Sequence, residues 1–165
     1  MFLQPRQVLL ESYQQALAAV HGSACTRIAL QHHPHTGPIY LIAIGKAACA
    51  MAQAAHDVLD KEIANALIVT KRGHAEPLPW PVLEAGHPLP DEQSVAAGQR
   101  LIDFATAIPI DAKVLMLLSG GASALVEVLP EGVSLAQLRA LIGVERTGTS
   151  APQGRVVYHH YRNLF

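Results

Sequence analysis

The chain has 165 residues, half of them apolar and 15% charged, and its 12 basic and 13 acidic residues give a formal net charge of −1. That is one domain's length with enough apolar material for a core, which excludes a disordered chain. The even charge balance leaves no basic footprint for nucleic acid, and no apolar run approaches the ~20 residues of a membrane span. Glu11 interrupts the apolar N-terminal stretch, so a signal peptide is not expected. Two cysteines without CxxC spacing, Cys25 and Cys49, do not make a disulfide framework. The expectation is a soluble, cytoplasmic protein.

Leu9, Tyr13, Ala16, Leu17 and Val20 recur at helical spacing and predict an amphipathic first helix over 8–20. A Pro/His/Gly-rich loop follows over 31–38. IYLIAI (39–44) reads as a buried strand ending at Gly45-Lys46, and the alanine-rich 47–59 as a helix. A second short strand is predicted over 66–70, closed by Lys71-Arg72-Gly73-His74, which either gathers phosphate or is a solvated strand end, and a third over 82–85 after the proline-laden EPLPWP. Asp91 is placed to cap a helix through Val95, Leu101, Ile102 and Ala105. VLMLL (114–118) predicts a strand that halts at Ser119-Gly120-Gly121, and Ser134 with Gln137 forms a capping-box pattern before a last helix. Strands alternating with helices, and strands apolar at consecutive positions, predict an α/β fold. It is a Rossmann-like parallel sheet with helices on both faces.

Ligands of such sheets gather beyond the carboxyl ends of the strands. Three suggestive clusters fall there: Gly45-Lys46, Gly86-His87 and Ser119-Gly120-Gly121. A glycine turn opening a helix lets a phosphate or carboxylate approach unpaired amides, and Ser119 and Ser123 add hydroxyls. The same residues also suit a tight strand-to-helix turn in which glycine supplies positive φ and nothing binds. Gly45-Lys46-Ala47 is not a Walker A loop, because Tyr40 and Ala47 stand where a glycine and a Ser/Thr are needed; GKAACA also keeps only the first glycine of a dinucleotide fingerprint. What remains is a lysine in the first helical turn, against the dipole, which an anion would explain and snorkelling to water would explain as well. The stiff loop GHPLPDE either presents His87 or Glu84 to a substrate or is a proline-set turn. The His32, His33 and His35 trio has no carboxylate or cysteine at metal spacing, and no metal site is expected.

In this order, IGKAACAMA, LIVTKRGHA, VLEAGHPLPDEQS and VLMLLSGGASALVEVLPEGVSL resemble the N-terminal domain of the glycerate 2-kinase family, whose second domain is the MOFRL domain. The resemblance spans about residues 8–143. It implies transfer of the ATP γ-phosphoryl group to the 2-hydroxyl of D-glycerate, with Mg²⁺, in a cleft between two domains. By position it implies a catalytic role for Lys46. It also implies substrate or phosphate binding by Gly45, Ser119, Gly120, Gly121 and Ser123, and by Glu84 and His87 of the EAGHP segment. Ala122 departs from the family's SGGGSAL loop by placing a methyl group at the third glycine.

After LAQLRALIG the family pattern stops. Residues 144–165 show no helical period and only VVY as a strand candidate. They read either as the product of a frameshift or truncation, leaving an incomplete domain without the MOFRL domain, or as the end of a genuinely shortened protein. The expectations are little kinase activity from this polypeptide alone and self-association through exposed sheet edges. The alternatives are a non-catalytic anion-binding remnant, or an oxidoreductase of the hydroxypyruvate reductase type, a label that members of this family carry.

Overall fold

A computed structural model describes residues 4–33 and 37–147, with the backbone alone over 144–147. His35 and the tail beyond 147 therefore lie outside the described residues. Helices α1 (Pro5–Ala19) and α2 (Gly22–His32) precede strand β1 (Ile39–Ile44). Helix α3 (Ala48–Leu59), one 3-10 turn, β2 (Ile63–Lys71), β3 (Val82–Ala85), α4 (Glu92–Ala107) and β4 (Lys113–Leu118) follow. The single turn α5 (Ala122–Leu125) and α6 (Leu135–Thr147) end the described chain.

The four strands form one sheet in the order β3-β2-β1-β4, and every neighbouring pair is parallel. All four carboxyl ends therefore open on the same edge. The chain steps from β1 outward through β2 to β3 and then returns to the far side of β1 as β4. That reversal creates a switch point between β1 and β4, the place where open α/β sheets leave a crevice for ligands.

Alternating residues of β1 and β2 feed two cores, which is why both strands are apolar at consecutive positions. Leu41, Ala43 and Ile68 pack with Ala48, Ala52 and Ala55 of α3 and Leu30 of α2 on one face. Ile42, Ile44, Leu67 and Val69 meet Ala97 of α4 and Leu125 of α5 on the other. Small residues bring the layers close. A Cβ on Gly98 of α4 would lie 2.0 Å from the Glu127 carbonyl oxygen, so only glycine fits where α4 passes the segment after α5.

Two elements differ from the sequence expectation. Helix α2 was not anticipated, and β2 begins three residues earlier than 66–70, at a stretch where Ala64 and Asn65 are exposed. The amphipathic α1 is present, but none of its residues is buried among the described ones. No described helix is long and apolar enough to cross a membrane.

Candidate functional site

The site is built where β1 and β4 end. Gly45 leaves β1 with φ +128°, a conformation that favours glycine. Its N–H donates to the Val69 carbonyl at 3.1 Å, and its carbonyl accepts from Thr70 Oγ1 and from Ala48 N–H, each at 3.1 Å. On the β4 side, Ser119 N–H donates to the Ile44 carbonyl at 2.9 Å. Ser119 Oγ accepts from Ala47 N–H at 3.0 Å, and Lys46 N–H donates to the Gly120 carbonyl at 3.0 Å. The two turns are thus laced together by their backbones. A Cβ on Gly45 would sit 2.2 Å from Ser119 Oγ, so the close approach depends on that missing atom.

Lys46 is exposed, and its side chain runs over the glycine pair. Its Cε lies 3.9 Å from the position a Gly120 Cβ would take and 3.4 Å from that of Gly121. The His87 ring faces Gly121 from the third strand end, with Cδ2 and Nε2 2.8 and 2.9 Å from a virtual Cβ there. Gly121 itself has φ +94° and precedes α5. The structure therefore brings Gly45, Lys46, His87, Ser119, Gly120 and Gly121 together on one rim. None of the ion pairs among the described residues involves Lys46. An ammonium without a carboxylate, above amides that carry no side chains, is a place for negative charge.

Three parts of the expected arrangement are different in detail. Lys46 is not in the first turn of α3; it precedes the N-cap residue Ala47, so it opposes the dipole less than a first-turn cation would. The helix after the glycine pair is only the four residues Ala122–Leu125, too short to supply much of a dipole. The exposed Ser123 lies in that turn. Glu84 serves the backbone: its Oε1 accepts from the N–H groups of Gly73, His74 and Ala75 at 2.6, 3.2 and 3.2 Å. It shapes the loop after β2.

The His87 loop is braced from beneath by Asp91, the N-cap of α4. Asp91 Oδ1 accepts from Gly86 N–H and Ser94 N–H, both at 3.0 Å, and Ser94 Oγ accepts from Asp91 N–H in a capping box. Arg72 adds an ion pair at 2.6 Å. Burial pushes the Asp91 carboxyl up, but the hydrogen bonds from Gly86 and Ser94 and the Arg72 charge outweigh it and hold its pKa below the usual carboxylate value. The His87–Pro88 peptide is cis. A brace that the sequence did not announce comes from α6, where Arg139 Nε donates to the Pro90 carbonyl at 2.7 Å. The last helix is itself capped by Ser134 and Gln137 in the expected manner.

The described residues do not form a metal cage. No group of three or more His, Cys, Asp or Glu side chains converges among them. Of the nearby carboxylates, Glu84 and Asp91 are engaged by backbone amides, while Glu76 lines a recess beside Lys46.

An open parallel sheet with a glycine-lined cationic rim at its switch point defines an α/β protein of the doubly covered, open-sheet class. The sequence profile described as "Domain of unknown function (DUF4147)" matches residues 8–144, and the chain belongs to this family. It is similar to the D-glycerate 2-kinase of Thermotoga maritima, 40% identical over 125 residues, which are 74% of this chain and 30% of that protein. A glycerate 2-kinase of Pyrococcus horikoshii is 43% identical over 104 residues, 62% of this chain and 23% of its own. Two Agrobacterium vitis relatives, 33% and 37% identical, carry a provisional hydroxypyruvate reductase name. The crystal structure of the Thermotoga maritima glycerate kinase superposes with a TM-score of 0.82 at 34% identity, covering 93% of this chain and 38% of that one. The chain thus spans about a third of the length of the relatives it matches, consistent with an N-terminal portion of such a protein.

Proposed function

We propose that this chain forms one wall of a glycerate 2-kinase active site, at which the ATP γ-phosphoryl group passes to the 2-hydroxyl of D-glycerate. The observation that carries the proposal is the convergence of Lys46 on Gly120 and Gly121 beside His87, at the switch point of the sheet. The family relationship to proteins named glycerate 2-kinase supplies the substrates.

Phosphoryl transfer leaves little covalent work for a protein, and catalysis consists mostly of positioning and of stabilising the charge on the transferring group. On this wall the Lys46 ammonium supplies a full positive charge, and the glycine turn lets phosphate oxygens reach backbone N–H groups. The His87 ring closes the third side. Because the β1 and β4 turns are hydrogen-bonded to each other, these parts hold fixed mutual positions before any ligand arrives. A reductase function is not favoured, since the glycines of a dinucleotide-binding turn are missing after β1, where Lys46-Ala47-Ala48 follows Gly45.

The test is replacement of Lys46 by methionine. In this chain it should abolish ATP binding measured by calorimetry. In a full-length homologous kinase, the matching substitution should lower kcat by roughly two to three orders of magnitude. Turnover within a few-fold of the parent would remove Lys46 from the mechanism.

A further inference from the structure

Lys46 has a second flank. Beside it the chain forms a recess of about 310 Å³ lined by His21, Lys46, Ala47, Cys49, His74 and Glu76, and neither the glycine pair nor His87 is among its lining residues. That volume is at the small end of the range in which small-molecule sites fall. Its parts come from three elements that the fold brings together: the residue before α2, the first turn of α3, and the loop after β2. The loop is not loosely placed, because the Glu84 carboxylate accepts from three successive backbone N–H groups of 73–75, His74 among them. His21 is likewise held, its Nδ1 within 2.7 Å of Ser23 Oγ.

The chemistry of the lining is two-sided. Lys46 offers donors and positive charge, His21 and His74 offer ring nitrogens, and no described carboxylate pairs with Lys46. Glu76 offers the opposite, an acceptor that repels a bare anion and takes hydroxyl protons. A phosphate group, acceptor on all sides, matches the first set and clashes with the second. A small hydroxy acid matches both, with its carboxylate toward Lys46 and the two imidazoles and its hydroxyls toward Glu76.

Resting on the kinase reading above, we infer that this recess is the hydroxy-acid subsite, and that His74, His21 and Glu76 select its ligand. The nucleotide phosphates then take the opposite flank of Lys46, over Gly120 and Gly121 and against His87. One ammonium stands between acceptor and donor, where charge develops as the phosphoryl group moves.

The imidazole C–H signals of His21, His74 and His87 report the two flanks separately, each assigned through its single His→Gln variant. Titrating the full chain with D-glycerate should shift His21 and His74 and leave His87 in place; titrating with ATP should do the reverse. His74→Ala, at an exposed position, should weaken D-glycerate binding about tenfold, the loss expected for one charge-assisted contact, and change ATP binding less than about twofold. Glu76→Gln should weaken D-glycerate and leave propionate, which lacks hydroxyls, unaffected. If D-glycerate moves His87 instead, or His74→Ala leaves it bound equally well, the subsite assignment fails while the kinase reading stands. If neither ligand moves any of the three rings, both fail.

Discussion

Strands β1 and β4 run side by side, pair in register over six residues and end in the two turns of the site, yet their surroundings are opposite. β1 is flanked by a strand on each edge and covered on both faces, with Leu41 and Ala43 fully buried. β4 pairs on one edge among the described residues, and Val114, Met116 and Leu118 remain 50, 41 and 59% exposed. One wall of the site is therefore held by side-chain burial and the other by its ladder to β1 and by Ser119. The geometry of the rim does not need both walls to be deep in a core; it needs the shallow one to be registered on the deep one.

That contrast is open to direct attack. The largest effect is expected at the joint itself. Gly45→Val places atoms 2.2 Å from Ser119 Oγ at a positive φ, and should cost on the order of 3 kcal/mol or more, or abolish cooperative unfolding. Gly120→Ala, whose nearest atom would be Lys46 Cε at 3.9 Å, should cost well under about 1 kcal/mol. Equal losses in thermal melts would mean that the two turns are not laced as described.

The strands give the next effect. Leu41→Ala should cost about 2–5 kcal/mol in urea unfolding, as expected for a filled core position. Met116→Ala, at a position already 41% exposed, should cost less than about 1 kcal/mol. A large loss at Met116 would show that β4 is buried by something in solution.

The smallest effect tests the brace under His87. Because the folded Asp91 carboxyl titrates below its ordinary value of 3.8, its stabilisation is complete above that pH and is lost as pH falls through it to the folded value. Asn caps helices as well as Asp, and the Arg72 partner is 66% exposed. Asp91→Asn should therefore cost only about 1 kcal/mol or less at neutral pH. The gap between the two proteins should close below pH 4. A gap that widens on acidification would reverse the assigned sign.

Much of the fold was readable because parallel, doubly covered strands must be apolar without interruption. Ile39–Ile44 announces itself in that way. The gathering of Gly45, His87 and Ser119 at one edge then follows from parallel pairing. The strand order does not, since nothing local in β4 says that it adds beside β1. Helix α2 escaped notice because it opens on glycine without a side-chain cap. The start of β2 was hidden by Asn65, a poor strand former whose carboxamide bonds the next amide. Glu84 looked like a ligand group because the loop that occupies it, 73–75, folds back over β3 only in three dimensions. Arg139 was missed for a similar reason: it acts on Pro90, far off in sequence, across a packing that no motif spells out.

The lacing of the two turns has a thermodynamic consequence. Across the β1–β4 seam the N–H groups of Lys46, Ala47 and Ser119 donate to the Gly120 carbonyl, Ser119 Oγ and the Ile44 carbonyl, so a ligand arriving at the rim would find backbone already immobilised. On the proposed reading, association there would forfeit little chain freedom, and affinity for a small oxyanion would be limited by desolvation of the ammonium and the ion far more than by ordering of the loops.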